Sequence, residues 1–259
     1  MSLLAFTRPV PRTIAQCQLT HLAREPIDFE RATEQHEQYE AALRSLGCVV
    51  RRLPGADAQP DSVFIEDTAV VLDECAVIAR PGAAARRGET AVVAEALRAQ
   101  RRLFEIVAPG TLDGGDVLRV GRHLYVGLST RTNVEGARQL AQLVAPFGYA
   151  VDTAAVRDCL HLKTAVSALP DNRLLLNSRM VDGASFGAAA WIEIDAGEPY
   201  AGNVLCVGQT VLCPASAPRT RRLLEAEGYA VLSLDASELA KAEGGLTCCS
   251  LILRADDRA

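Results

Sequence analysis

The sequence has no surplus of positive charge. Lys+Arg 27 against Asp+Glu 32 leaves a net charge of −5 over 259 residues, so a basic footprint for nucleic acid or an anionic membrane is missing. A mildly acidic balance of this kind suits a small cationic substrate. No uninterrupted apolar run approaches the roughly 18 to 20 residues that span a bilayer. The opening "MSLLAFTRPVPR" runs into proline and arginine too soon for a secretory signal. Eight cysteines, at 17, 48, 75, 159, 206, 213, 248 and 249, are scattered without the C-x-x-C spacing of zinc sites or redox pairs. Most stand inside apolar runs, where a reduced thiol acts as a small hydrophobe, and a cytoplasmic setting is expected.

An internal period is present. Short β-like runs open on a polar residue, turn back and run on: "DTAVVLDECAVIARPG", "DVLRVGRHLYVGLS", "HLKTAVSALPDNRLLLNS", "NVLCVGQTVLCPAS" and "CCSLILR". Their first residues, Asp67, Asp116, His161, Asn203 and Cys248, are spaced by about 49, 45, 42 and 45, inside the window that marks propellers and arrays. Amphipathic helices are expected in "RRGETAVVAEALRAQ", "RTNVEGARQLAQLVAPFG", "RTRRLLEAEG" and the N-terminal "FERATEQHEQYEAALRSLG", where apolar residues recur at three- and four-residue spacing. The last unit has one strand only, which "LAFTRPV" would complete by closing a ring. The spacing therefore predicts one α/β domain over 1–259, a five-bladed pseudo-symmetric propeller of ββαβ modules, with the five polar residues at a central cavity.

A thiolate is the nucleophile and needs a cationic partner or a base. His161 could pass protons, and an acid orienting its ring would complete a Cys-His-acid set. Asp113 in "TLDGGDVL" is a candidate, since two glycines let the backbone turn tightly beside it. Of the two thiols in "GGLTCCS", strand alternation puts Cys248 and Cys249 on opposite faces and does not choose between them; the preceding glycines favour Cys248. Asp61, Glu66 and Asp67 in "PDSVFIED" suit a guanidinium, which carboxylates match through paired hydrogen bonds. Arg80, Arg86, Arg87 and Arg131 follow the strands, where an anionic substrate end could be gripped.

Together, "PDSVFIED", "IARPGAAARRGE", "TLDGGDVL", "GLSTRTNVEGA", "LHLKT", "YAGNVL" and "GGLTCCS" resemble the dimethylarginine dimethylaminohydrolase family of the guanidine-modifying, amidinotransferase-like superfamily, in family order from about residue 8 to 253. The resemblance implies a five-bladed α/β propeller and hydrolysis of N-omega-methylated arginines to citrulline and an amine, with no cofactor and no metal. It implies Cys248 as nucleophile, His161 as general acid and base, and Asp113 beside that histidine. It further implies Asp61, Glu66 and Asp67 as substrate-contacting acids, Arg86 and Arg131 at the substrate's α-carboxylate, and Leu19 (on a mobile lid) and Ala242 as substrate contacts. The partner is then a small guanidino amino acid, and the oligomeric state stays open, with a homodimer among the options. An arginine deiminase would carry aspartate where Lys163 stands and arginine where Glu66 stands, so both places favour the methylarginine enzymes. A non-catalytic ribosome anti-association factor shares the propeller but does not require these axial groups. A zinc protein lacks the ligand spacing.

Overall fold

The computed structural model describes residues 2–255. Strand β1 (Leu3–Thr7) is followed by helix α1 (Phe29–Ser45) and β2 (Cys48–Arg52). Asp28 caps α1 by accepting from the Arg31 amide, and the helix ends at Leu46 and Gly47, the latter at a φ of 88° that glycine adopts freely. Then come β3 (Ala69–Val71), β4 (Cys75–Ile78), α2 (Thr90–Arg98) and β5 (Arg102–Glu105); β6 (Val117–Val120), β7 (His123–Leu128), α3 (Val134–Val144) and β8 (Ala150–Ala155). A single helical turn, α4 (Leu162–Ala165), leads into β9 (Val166–Ala168), β10 (Leu174–Leu176) and β11 (Trp191–Glu193). The last stretch holds β12 (Leu205–Val207), β13 (Thr210–Pro214), α5 (Pro218–Ala226), β14 (Ala230–Leu234), the short α6 (Ser237–Ala240) and β15 (Leu251–Arg254).

These strands make five three-stranded sheets: β15-β1-β2, β3-β4-β5, β6-β7-β8, β9-β10-β11 and β12-β13-β14. In each, the first pair is antiparallel and the second parallel, as in β6 with β7 and β7 with β8. A hairpin needs only a short turn, whereas the parallel return needs a crossover, and the helices supply it. The first sheet is closed by the two ends of the chain: Leu4 faces Leu253 on β15 and Val49 on β2. The architecture is the five-bladed α/β propeller that the period predicts, with one departure. Between β10 and β11 the chain makes only a 3-10 turn, Gly183–Phe186, among the described residues.

The cores lie within and between blades. Leu124, Leu140 and Val144 pack α3 onto its sheet, and Val93 and Leu97 do the same for α2. Each such side chain contributes about 1.5–3 kcal/mol on removal from water. Among the described residues no helix is long and apolar enough to cross a membrane.

Candidate active site

Each inner strand is preceded by a tight turn, and the turns meet at the axis. Ile65–Thr68 precedes β3, Gly114–Asp116 precedes β6, α4 precedes β9, and Thr247–Cys249 lies just ahead of β15. Cys248 therefore sits in a 3-10 turn and not at the entrance of a strand, so strand alternation does not govern which thiol faces the cavity. The turn does: Cys248 shares a narrow pocket with His161, Asp61, Asp67, Arg86 and Arg131, and Cys249 is not among the residues that line it; the Cys249 thiol donates towards the Gly245 carbonyl.

His161 is the N-cap residue of α4. Its Nε2 lies 3.1 Å from Asp113 Oδ2, and its Nδ1 lies 3.7 Å from Asp67 Oδ1. The glycines in "LDGGD" are required by this closeness. A Cβ on Gly115 would come within 2.7 Å of both Asp67 Oδ1 and His161 Nδ1, and one on Gly114 within 2.0 Å of the Glu66 carbonyl. Burial disfavours the imidazolium, but Asp67, Asp116 and Asp113 outweigh it and raise the His161 pKa to about 9. Asp67 is buried too, which alone would raise its pKa; the charges of His161 and Arg86 win and lower it to about 2. Burial, then Glu66 and Asp67, pushes the Cys248 thiol up to about 12. At neutral pH and without substrate the thiol and the imidazole are thus both protonated.

The remaining expected residues divide. Asp61 lines the pocket and accepts from the Gln18 amide at 3.0 Å; Ala242 also lines it. Arg131 donates to Thr20 Oγ1 at 3.1 Å and lies 3.9 Å from Asp113 Oδ2, leaving part of its fork free. Arg86 is nearly saturated: it binds Glu89 at 2.9 Å, Asp67 at 2.5 Å and the Phe64 carbonyl at 3.0 Å. Glu66 is not among the pocket-lining residues. Its two carboxylate oxygens are taken by Lys163 Nζ at 2.6 Å and Thr247 Oγ1 at 2.7 Å. Leu19 packs against the apolar core beneath α1, and its neighbour Gln18 reaches the pocket instead. Arg80 and Arg87 spend hydrogen bonds on the carbonyls of Gly110 and Pro81.

Two further acids shape the site, Asp116 placed by the period but given no role there, and Glu243 unread. Asp116 is fully buried, accepts from the Leu162 amide at 2.9 Å, and is raised by burial to about 6; its place in the period was its signal. Glu243 had none. Its Oε1 accepts from the amides of Thr20, His21 and Leu22, at 3.1, 2.5 and 2.6 Å, and so ties the segment after Gln18 across the pocket. Glu243 holds a φ of 58°, costly for most side chains but tolerated by asparagine. Glu243→Asn should therefore fold normally, loosen this strap, and raise KM about tenfold, equivalent to about 1.4 kcal/mol. Steady-state kinetics beside a melting curve checks it; an unchanged KM removes the strap.

Asp67, Asp113 and His161 also bring one ligand atom each within 4.8 Å of one another, three groups a divalent cation could use. Their donors are already paired with Arg86, the Gly82 amide and each other, so the cluster is charge-satisfied as it stands.

A five-bladed α/β propeller whose axis gathers a thiol, an imidazole and buried carboxylates around one pocket defines an enzyme of the guanidine-modifying class. The family model described as arginine deiminase matches residues 56–197. The chain is 40% identical over 226 residues to the N(G),N(G)-dimethylarginine dimethylaminohydrolase of Pseudomonas aeruginosa, covering 86% of this chain and 89% of that protein. Identity to the enzyme of the same name from Streptomyces coelicolor is 42% over 249 residues, 95% of each chain. The Pseudomonas aeruginosa enzyme solved as a Cys→Ser variant with citrulline superposes with a TM-score of 0.93 at 37% identity, over 98% of this chain and all of that one. The chain belongs to the dimethylarginine dimethylaminohydrolase family.

Proposed function

We propose that the protein hydrolyses N-omega-methylated arginines to L-citrulline and dimethylamine or methylamine, with Cys248 as nucleophile and His161 as general acid and base. The observation that carries this reading is the shared pocket of Cys248 and His161, ringed by carboxylates. The planar cation is received by Asp61 and Asp67, and its α-carboxylate is gripped by Arg131, with Arg86 lending charge from behind.

The Cys248 thiol, pushed up to about 12 by burial and its acidic neighbours, needs the substrate. A guanidinium about 4 Å from the sulfur, at an effective dielectric of about 20, contributes about 4 kcal/mol, or about three pKa units. The bound cation thus lowers the thiol towards the range where a thiolate forms. As the cation binds, the Cys248 proton passes to solvent, since His161 already carries its own; the thiolate then attacks the guanidinium carbon, forming a C–S bond. His161 gives its proton to the substituted nitrogen, the C–N bond breaks, and the amine leaves. Water then gives one proton to His161 and attacks the thiouronium carbon; the C–S bond breaks with its electron pair on sulfur, the remaining hydroxyl proton passes to that thiolate, and citrulline departs. Asp113 holds the imidazolium throughout, and Asp67 stabilises both tetrahedral centres by its fixed charge. No cofactor enters. Eight free thiols accord with a reducing cytoplasm.

The purified protein should release dimethylamine from asymmetric dimethylarginine at least a hundred times faster, in kcat/KM, than ammonia from arginine. Lys163 occupies the place where a deiminase would hold an aspartate, and it is spent on Glu66. The reverse preference in a product assay would transfer the protein to the deiminases.

A further inference from the structure

Asn203, like Asp116, is an axial polar residue of the period to which the reaction assigns no step, and unlike Asp116 it carries no charge to lend to His161. It opens the fifth sheet's inner strand and is buried. Its Nδ2 donates to the Lys163 carbonyl at 2.9 Å and to Thr247 Oγ1 at 3.0 Å, and its Oδ1 accepts from the Thr247 amide at 3.1 Å. Lys163 lies two residues after His161, and Thr247 immediately precedes Cys248. One side chain therefore ties the turn that carries the acid to the turn that carries the thiol.

The circuit closes on the other side. Thr247 Oγ1 donates to Glu66 Oε2 at 2.7 Å, and Lys163 Nζ donates to Glu66 Oε1 at 2.6 Å. Asn203 also packs against the backbone that touches the sulfur. A Cβ on Gly245 would fall 2.5 Å from the Asn203 amide group, and the Gly245 amide donates to Cys248 Sγ at 3.3 Å. Four of the axial turns thus share a loop of charge-assisted and amide hydrogen bonds, largely buried, where such bonds rigidify most when every member is satisfied.

We infer that Asn203 and Thr247 are positioning residues for the hydrolysis, clamping Cys248 in register with His161, and that Glu66 with Lys163 is the brace of that clamp. This rests on the reading of Cys248 and His161 given above. A misplacement of about 1 Å at reacting atoms costs about a hundredfold, so the clamp acts on the chemical step and leaves binding alone. Lys163 has a second effect: it neutralises Glu66, which otherwise faces the thiol uncompensated.

Thr247→Val keeps the shape and removes the hydroxyl, and Thr247→Ser keeps the hydroxyl. With asymmetric dimethylarginine, Thr247→Val is expected to lower kcat 10- to 100-fold with KM within threefold, Thr247→Ser to stay within threefold of wild type, and Asn203→Ala to behave as Thr247→Val. Alkylation of Cys248 by iodoacetamide, followed by peptide mass spectrometry, gives a readout independent of turnover. Lys163→Met should move the alkylation profile to higher pH, and adding Glu66→Gln should move it back. Full kcat in both Thr247→Val and Asn203→Ala overturns the clamp. Equal losses in Thr247→Val and Thr247→Ser overturn it as well. An alkylation profile indifferent to Lys163 and Glu66 overturns the brace. Should wild type release no dimethylamine, the substrate assignment fails while the alkylation series still tests the brace.

Discussion

Cys248→Ser is expected to reduce citrulline formation by more than ten-thousandfold, whereas Cys249→Ser should retain wild-type turnover within about threefold. The two thiols are adjacent, buried and both pushed upward by burial, so a difference in reactivity has to come from direction. Cys248 faces the pocket and is approached by the Gly245 amide, a donor able to stabilise a thiolate. Cys249 is not among the residues lining that pocket, is more deeply buried, and donates its thiol towards the Gly245 carbonyl. A serine in place of Cys248 is a far poorer nucleophile, since even a neighbouring cation leaves its hydroxyl protonated. The large loss is thus one of chemistry, and substrate binding should persist: calorimetry with asymmetric dimethylarginine ought to give a Kd close to the wild-type KM. A Cys249→Ser enzyme that is dead while Cys248→Ser turns over would invert the assignment.

The ring was legible because its signature is redundant. Five polar residues each sit one turn ahead of an inner strand, so the spacing of Asp67, Asp116, His161, Asn203 and Cys248 records the blade repeat directly. The helices α1, α2, α3 and α5 were legible for the same reason, each carrying an apolar stripe on one face. What escaped was local conformation at the axis. A 3-10 turn of three residues such as Thr247–Cys249 has no period to detect, and "TCCSLILR" reads as an uninterrupted strand. Glu66 and Asp67 are neighbours in one turn, yet Asp67 points to His161 and Arg86 while Glu66 points to Lys163 and Thr247. Only the partners, 97 and 181 residues away in the chain, decide which acid meets the substrate. Glu243 is hidden in the same way, its role set by a segment 221 to 223 residues distant.

Replacing His161 with asparagine should lower kcat for asymmetric dimethylarginine by 10²- to 10⁴-fold, the range that removal of a general acid and base produces. The reason lies in the amine. Expelled without a proton it would be an amide anion, and His161 is the group that holds a proton in this pocket at neutral pH. Burial works against that proton, but Asp67, Asp116 and Asp113 hold it up to about pH 9. The ring should consequently titrate far above an ordinary histidine when followed by NMR, and Asp113→Asn, which takes away one of the three carboxylates, should shift its midpoint to lower pH. The same linkage acts on stability with a definite sign. A histidine whose pKa is raised on folding stabilises the fold fully below about 6.5, and that contribution is lost as pH rises through about 9. Melting temperatures measured from pH 6 to 10 should therefore fall over this window in wild type and fall less in His161→Asn. A His161 ring that titrates near 6.5 in the folded protein, with a melting curve that ignores the substitution, would mean that the carboxylates do not hold the proton. The amine would then need another donor.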